Sequence, residues 1–143
     1  VNARIWTNGC FDLLHAGHVM FLERAAKLGT LTVFMNSDAS VRALKGNHRP
    51  IVPEAYRRRV LEALRCVANV HIFSGPNPVE YWSTLGTVPD IYVKDSECDV
   101  AHSAEGQWLL SKGVAVTVLP RVPDISTTIL ERRIRGGESS SIS

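Results

Sequence analysis

Short runs rich in β-branched and large apolar residues recur along this chain, each followed by a stretch whose apolar residues return at helical spacing. The runs fall at residues 3–6, 31–36, 68–73, 90–93 and 114–119. Apolar on both alternating faces, they read as strands covered above and below. Strand runs interleaved with helical periods predict an α/β chain: a Rossmann-like, doubly wound sheet of about five parallel strands with helices on both faces. Local signals set the expected breaks. Gly29 reads as a C-cap after Val19, Leu22, Ala25, Ala26 and Leu28. Ser37-Asp38 reads as a cap for a helix over 39–44, and Pro53-Glu54 as the opening of the next. In that helix Val60, Leu61, Leu64 and Val67 form the expected core stripe, with Arg57, Arg58, Glu62 and Arg65 on other faces. Asn77-Pro78-Val79-Glu80 predicts a capped helix running to near Gly86, and Gly113 ends the helix that follows His102.

The chain is long enough, at 143 residues, to bury a core without metal or disulfide staples. One domain is expected over residues 1–135, with a flexible Gly- and Ser-rich tail over 136–143. The formal charge of +2 gives no footprint for nucleic acid. No apolar run approaches the length of a membrane span, and no signal-peptide pattern opens the sequence. Cys10, Cys66 and Cys98 have no metal-ligand spacing and are odd in number, which predicts free thiols in a reducing cytoplasm.

The residues that carry chemistry begin at the first strand-to-helix turn, Thr7-Asn8-Gly9-Cys10-Phe11-Asp12-Leu13-Leu14-His15-Ala16-Gly17-His18. His15 and His18 stand three residues apart at a helix entrance, roughly 4.5 Å along the axis and on one face. Gly17 removes a side chain where a ligand would approach the backbone. Helix N–H groups and the positive end of the dipole suit a phosphate there. Capping and packing histidines are the bland alternative. Near the other end, Arg121 precedes Ile125-Ser126-Thr127-Thr128 at a second helix N-terminus. A capping box from Thr128 to Glu131 accounts for one of those three hydroxyls.

Both stretches resemble the signatures of the HxGH nucleotidyltransferases, the cytidylyltransferase-like family, and stand in that family's order. The resemblance covers roughly residues 3–135. It implies transfer of a nucleoside monophosphate from ATP or CTP onto a phosphorylated sugar or alcohol, with pyrophosphate released. By the same resemblance His15, His18, Lys27 and Arg121 are catalytic. Lys27 stands one residue later than the matching lysine of some members. Thr7, Asn8, Gly9, Cys10, Phe11, Gly17, Lys94, Asp95, Ile125, Ser126, Thr127 and Thr128 line the nucleotide, with Arg121 on its phosphates. Asp38, Lys45 and Arg57 face the acceptor. Mg²⁺ is the implied cofactor, with no protein metal ligands assigned, and a homodimer is the implied assembly.

Within the family the chain votes two ways. Residues 7–19, 36–46 and 89–94 and the pair Arg49-Pro50 are similar to the heptose 1-phosphate adenylyltransferases; residues 21–25 and 119–128 look more like glycerol-3-phosphate cytidylyltransferase. A sugar 1-phosphate with ATP is the slight favourite, with CTP and a small alcohol phosphate as the alternative. A nucleotide-binding module that kept the fold without catalysis is the alternative of a different class. Asp95 departs from the family, whose members carry glycine after the fourth strand. A carboxylate there can turn outward to pair with Lys94, remake the acceptor pocket, or accept from the base or ribose, and the expectation is the last: a part in choosing the nucleotide.

Overall fold

The computed structural model describes residues 2–95, 99–120 and 125–136. β1 (Arg4–Gly9) occupies the middle of a five-stranded parallel sheet, flanked by β2 (Thr30–Asn36) and β4 (Ile91–Asp95). β3 (Asn69–Phe73) pairs outside β2 and β5 (Ala115–Leu119) outside β4, giving the order β3-β2-β1-β4-β5. The connecting helices are α1 (Ala16–Ala26), α2 (Asp38–Lys45), α3 (Glu54–Glu62), α4 (Val79–Ser83) and α5 (Ala104–Ser111); α6 (Thr127–Ile134) follows the last strand. Strand order reverses direction between β1 and β4, so the Rossmann-like, doubly wound expectation holds. The crevice at their C-terminal ends is where open α/β sheets bind ligands.

The two faces of the sheet are packed with different chemistry. Successive strand residues point to opposite sides, and Ile5 and Trp6 of β1 divide accordingly. Ile5 joins Leu31, Val33, Met35 and Val93 beneath Leu22 and Ala25 of α1 and Leu61 of α3, an aliphatic core. Trp6 joins Phe34, Phe73 and Tyr92 beneath Trp82 of α4 and Leu109 of α5, an aromatic one. All three tryptophans belong to this second side: Trp82 lies 5.5 Å, centroid to centroid, from both Trp6 and Trp108.

Several local expectations are corrected. Gly29 is not a left-handed cap, since α1 closes at Lys27. A Cβ on Gly29 would sit 2.2 Å from the Ala3 carbonyl oxygen, so close strand approach is what demands glycine there. In α3, Val60 is 45% exposed while Arg57 is 2% exposed, the reverse of the expected stripe. α4 ends at Ser83 rather than near Gly86, and Asn77 Oδ1 accepts from Val79 N ahead of it. α6 is capped by Ser126, whose hydroxyl accepts from Ile129 N, not by Thr128. The expected Ser37 cap on α2 and the left-handed Gly113 are both present. Residue 136 is exposed; the rest of the expected tail, and Cys98, lie outside the described residues. No described helix is long and apolar enough to cross a membrane.

Candidate active site

β1 delivers the backbone to the cleft, and the turn after it is bent by two non-glycine residues in left-handed conformation, Phe11 (φ 52°) and Leu13 (φ 48°). Each such residue stores on the order of 1–3 kcal/mol and persists only where surroundings enforce it. Two buried charged residues supply the enforcement. Arg57 donates from Nη1 to the carbonyls of Cys10 (2.7 Å) and Asn36 (2.8 Å), from Nε to Val52 O and from Nη2 to Asp38 Oδ1. Asp12, 3% exposed, accepts from Ile51 N (2.8 Å) and Val52 N (2.9 Å) through its two carboxylate oxygens. Its carbonyl accepts from Thr127 Oγ1 at 2.6 Å, which joins the turn to α6.

The histidines enter α1 as a reciprocal cap. His15 Nδ1 accepts from Gly17 N at 3.0 Å, and His18 Nδ1 accepts from His15 N at 3.2 Å. A ring nitrogen that accepts carries no proton, so both rings are neutral with the proton on Nε2. The rings lie 3.9 Å apart, centroid to centroid, tilted by 31°, and both face the cleft. Gly17 has a local reason. A Cβ there would meet His15 Cε1 at 2.8 Å and Ile125 Cγ2 at 3.1 Å, so the glycine makes room for the imidazole itself rather than for a ligand. The capping interpretation and the donor interpretation are therefore compatible: one nitrogen of each ring caps, and the other carries an N–H.

The cleft has a volume of about 660 Å³. Of the expected nucleotide contacts, Asn8, Gly9, Cys10, Phe11 and Gly17 line it, as do Lys94, Asp95, Ile125, Ser126, Thr127 and Thr128; so does Lys45. Lys94 Nζ donates to Asn8 O and Tyr92 OH to Asn8 Oδ1, which pin the floor between β1 and β4. Burial pushes the Cys10 thiol above its ordinary value of 9.0, against the opposing pull of Lys45, Arg57 and Lys94. The thiol stays protonated near neutrality, which removes it as a nucleophile, while Lys45 and Lys94 on the cleft lining favour an anion.

Four expected positions are not on this cleft. Thr7 is wholly buried in β1. Lys27 closes α1 at the far end, roughly 18 Å along the helix from His15, in a shallow groove with Leu64, Arg65 and Cys66. Arg57 and Asp38 are spent on one another and on backbone carbonyls behind the wall. Arg121 lies outside the described residues. Asp12 and Arg49, present in the sequence stretches without an assigned role, are both nearly buried and both on the wall. Among the described residues no three His, Cys, Asp or Glu side chains converge as metal ligands.

The profile of the cytidylyltransferase-like family matches residues 6–133. Among curated proteins, the chain is 42% identical over 131 residues to "bifunctional protein HldE" of Syntrophotalea carbinolica, covering 91% of this chain and 26% of that protein. It is 46% identical over 125 residues to the protein of that name from Koribacter versatilis, covering 87% and 25%. The chain thus spans about a quarter of the length of these relatives. Among solved structures it is similar to a lipopolysaccharide core biosynthesis protein of Thermoplasma volcanium, with TM-score 0.68, 23% identity and coverage of 84% and 96%. A pantothenate synthetase of Thermus thermophilus shares the fold at TM-score 0.58 and 15% identity, covering 95% of this chain and 71% of that one.

Proposed function

The chain belongs to the cytidylyltransferase-like family of nucleotidyltransferase enzymes, and from that premise we propose that it joins a nucleoside monophosphate to a phosphorylated sugar. A phosphate oxygen of the acceptor attacks the α-phosphorus of a nucleoside triphosphate. The bond from that phosphorus to the bridging oxygen breaks, and pyrophosphate leaves. A monoester phosphate is mostly dianionic at pH 7, its second pKa being about 6, so the nucleophile needs no general base. What the protein must supply is approach of two polyanions and donors aimed where charge grows.

The observation that carries this reading is the reciprocal cap. With each Nδ1 accepting from backbone, the N–H of each ring is on Nε2, and both rings line the cleft. Ser126, Thr127 and Thr128 at the start of α6 suit the β- and γ-phosphates, with Arg121 beside them in sequence. Lys45 and Lys94 add cationic field, and Lys45 is assigned to the acceptor. Magnesium enters as the counterion of the triphosphate, since such ions are commonly held by substrate phosphates and water. It falls to the chain's own groups to hold the phosphoryl oxygens.

ATP with a sugar 1-phosphate of the heptose type is the favoured pair. The resemblance at residues 7–19, 36–46 and 89–94 and the identity to the HldE proteins support it. CTP with a small alcohol phosphate is the second reading, supported by residues 119–128. Incubation with ATP or CTP across a panel of phosphorylated acceptors, with pyrophosphate release and phosphorus NMR as readouts, tests both. ATP consumption with one sugar 1-phosphate is expected. Tight nucleotide binding with no pyrophosphate from any pair would establish a binding module instead. A homodimer in the cytoplasm completes the proposal, and sedimentation tests the assembly.

A further inference from the structure

α6 brings three hydroxyl residues to the cleft, yet none of its residues is fully buried. Half-buried Ile129 and Leu130 help seat it, and polar ties hold it as well. One is Thr127 Oγ1 to Asp12 O. Another is an ion pair: Arg49 Nε donates to Glu131 Oε2 at 2.6 Å, and Arg49 Nη2 reaches the same oxygen. Glu131 Oε1 is taken up by Arg135 at 3.1 Å. The Arg49 and Glu131 side chains are 8% and 12% exposed, whereas Arg58–Glu62 is 45% and 53% exposed. Exposed pairs contribute little, but breaking a desolvated one leaves an uncompensated charge.

The geometry around the pair is a closed ring. The Asp12 carboxylate holds the backbone of Ile51 and Val52, two and three residues beyond Arg49. The Asp12 carbonyl holds Thr127, four residues and so about one helical turn before Glu131. Both ends of the Arg49–Glu131 bridge are thus referred to one residue of the histidine turn. We infer that Arg49 and Glu131 are positioning residues that dock the first turn of α6 against the histidine pair, and that this docking sets the affinity for the triphosphate end of the nucleotide. The inference rests on the proposed placement of the β- and γ-phosphates at Ser126–Thr128. Arg49 is on the cleft wall, but its Nε and Nη2 are both directed at Glu131, which makes it a strut rather than a phosphate ligand.

Calorimetry on the intact chain with ATP, CTP, AMP and CMP tests this without requiring turnover. Glu131→Gln keeps size and removes charge. It is expected to weaken the preferred triphosphate about tenfold while the matching monophosphate stays within about twofold, because only the triphosphate reaches α6. Arg49→Gln should do the same, and the double variant should be no worse than either single, since all three remove one contact. Equal losses for tri- and monophosphate, or no loss, would overturn the inference. Additive losses would overturn it too, by showing that Arg49 grips phosphate directly. If Arg49→Gln does not fold, the ratio for Glu131→Gln decides. A chain that passes this test but releases no pyrophosphate would fail the transfer reading alone, and a parent chain that binds neither triphosphate would fail both.

Discussion

The first signature and the second meet at one cleft but are held there by different means. The turn from Gly9 to His18 grows out of the central strand, and Arg57 and Asp12 tie it to the backbone of Asn36, Ile51 and Val52. α6 rests on the body through a hydroxyl, an ion pair and half-buried side chains. On the proposed reading the stiffer part stands where charge develops during reaction, and the more lightly seated part stands where charge is already present in the bound nucleotide. Preorganisation matters most for the first. For the second, seating governs affinity more than rate.

The comparison breaks first at Arg57. Replacement by Met removes four donor contacts from a buried site, and a loss of about 3–5 kcal/mol in unfolding free energy is expected. Urea denaturation measures it. Unchanged stability with a raised acceptor KM would restore Arg57 to substrate binding and end the claim that it braces the turn.

His15→Ala and His18→Ala come next. Each should lower kcat by about 10², the scale of one lost donor, with much less change in nucleotide affinity. His15→Asn, whose amide oxygen can still accept from Gly17 N, should regain stability without regaining the rate. Near-normal turnover in both alanine variants would leave the histidines as caps only.

Asp95 sharpens the contrast from the side of specificity, since it ends β4 on the cleft wall. Asp95→Gly should shift the ratio of kcat/KM for ATP over CTP, or for ribo- over deoxynucleotide, by about tenfold, or 1.4 kcal/mol. Both ratios within twofold would assign the choice elsewhere.

The smallest effect is expected at His71 on β3. Burial lowers the pKa of its imidazole below the ordinary 6.5, Arg58 adding to the push, while Nδ1 pairs with Tyr81 OH at 2.8 Å. A depressed histidine pKa means the unfolded chain binds more protons, so stability is full above 6.5 and falls as pH drops through the lowered folded value. His71→Gln should flatten the acid side of a plot of melting temperature against pH. An unchanged profile would put the acid sensitivity on another group.

The sheet and most helix limits were legible in the sequence because period and composition are local. So was the histidine turn. What the sequence hid is the set of partners far along the chain. Nothing near Arg57 marks it as buried: its acceptors belong to Cys10, Asn36, Asp38 and Val52, and its neighbours Arg58 and Arg59 read as a solvated face. Asp12 had one available signal, a carboxylate inside an apolar stretch. The amides it satisfies lie 39 and 40 residues away. Lys27 falls one residue from the matching lysine of some family members, but a helix cannot bring its last turn back to its first.

The uneven division of aromatic residues between the two faces has an optical consequence. Trp6, Trp82 and Trp108 stand in one row, with Phe34 and Tyr92 against it. Excitation absorbed by any of the three can pass among all of them, so intrinsic emission behaves as a single chromophore on the α4–α5 side. The face under α1 and α3 carries no tryptophan. Tyr92 bridges the row to Asn8 on the cleft floor. The light this protein emits therefore reports on one face of its sheet, and the other can loosen unseen.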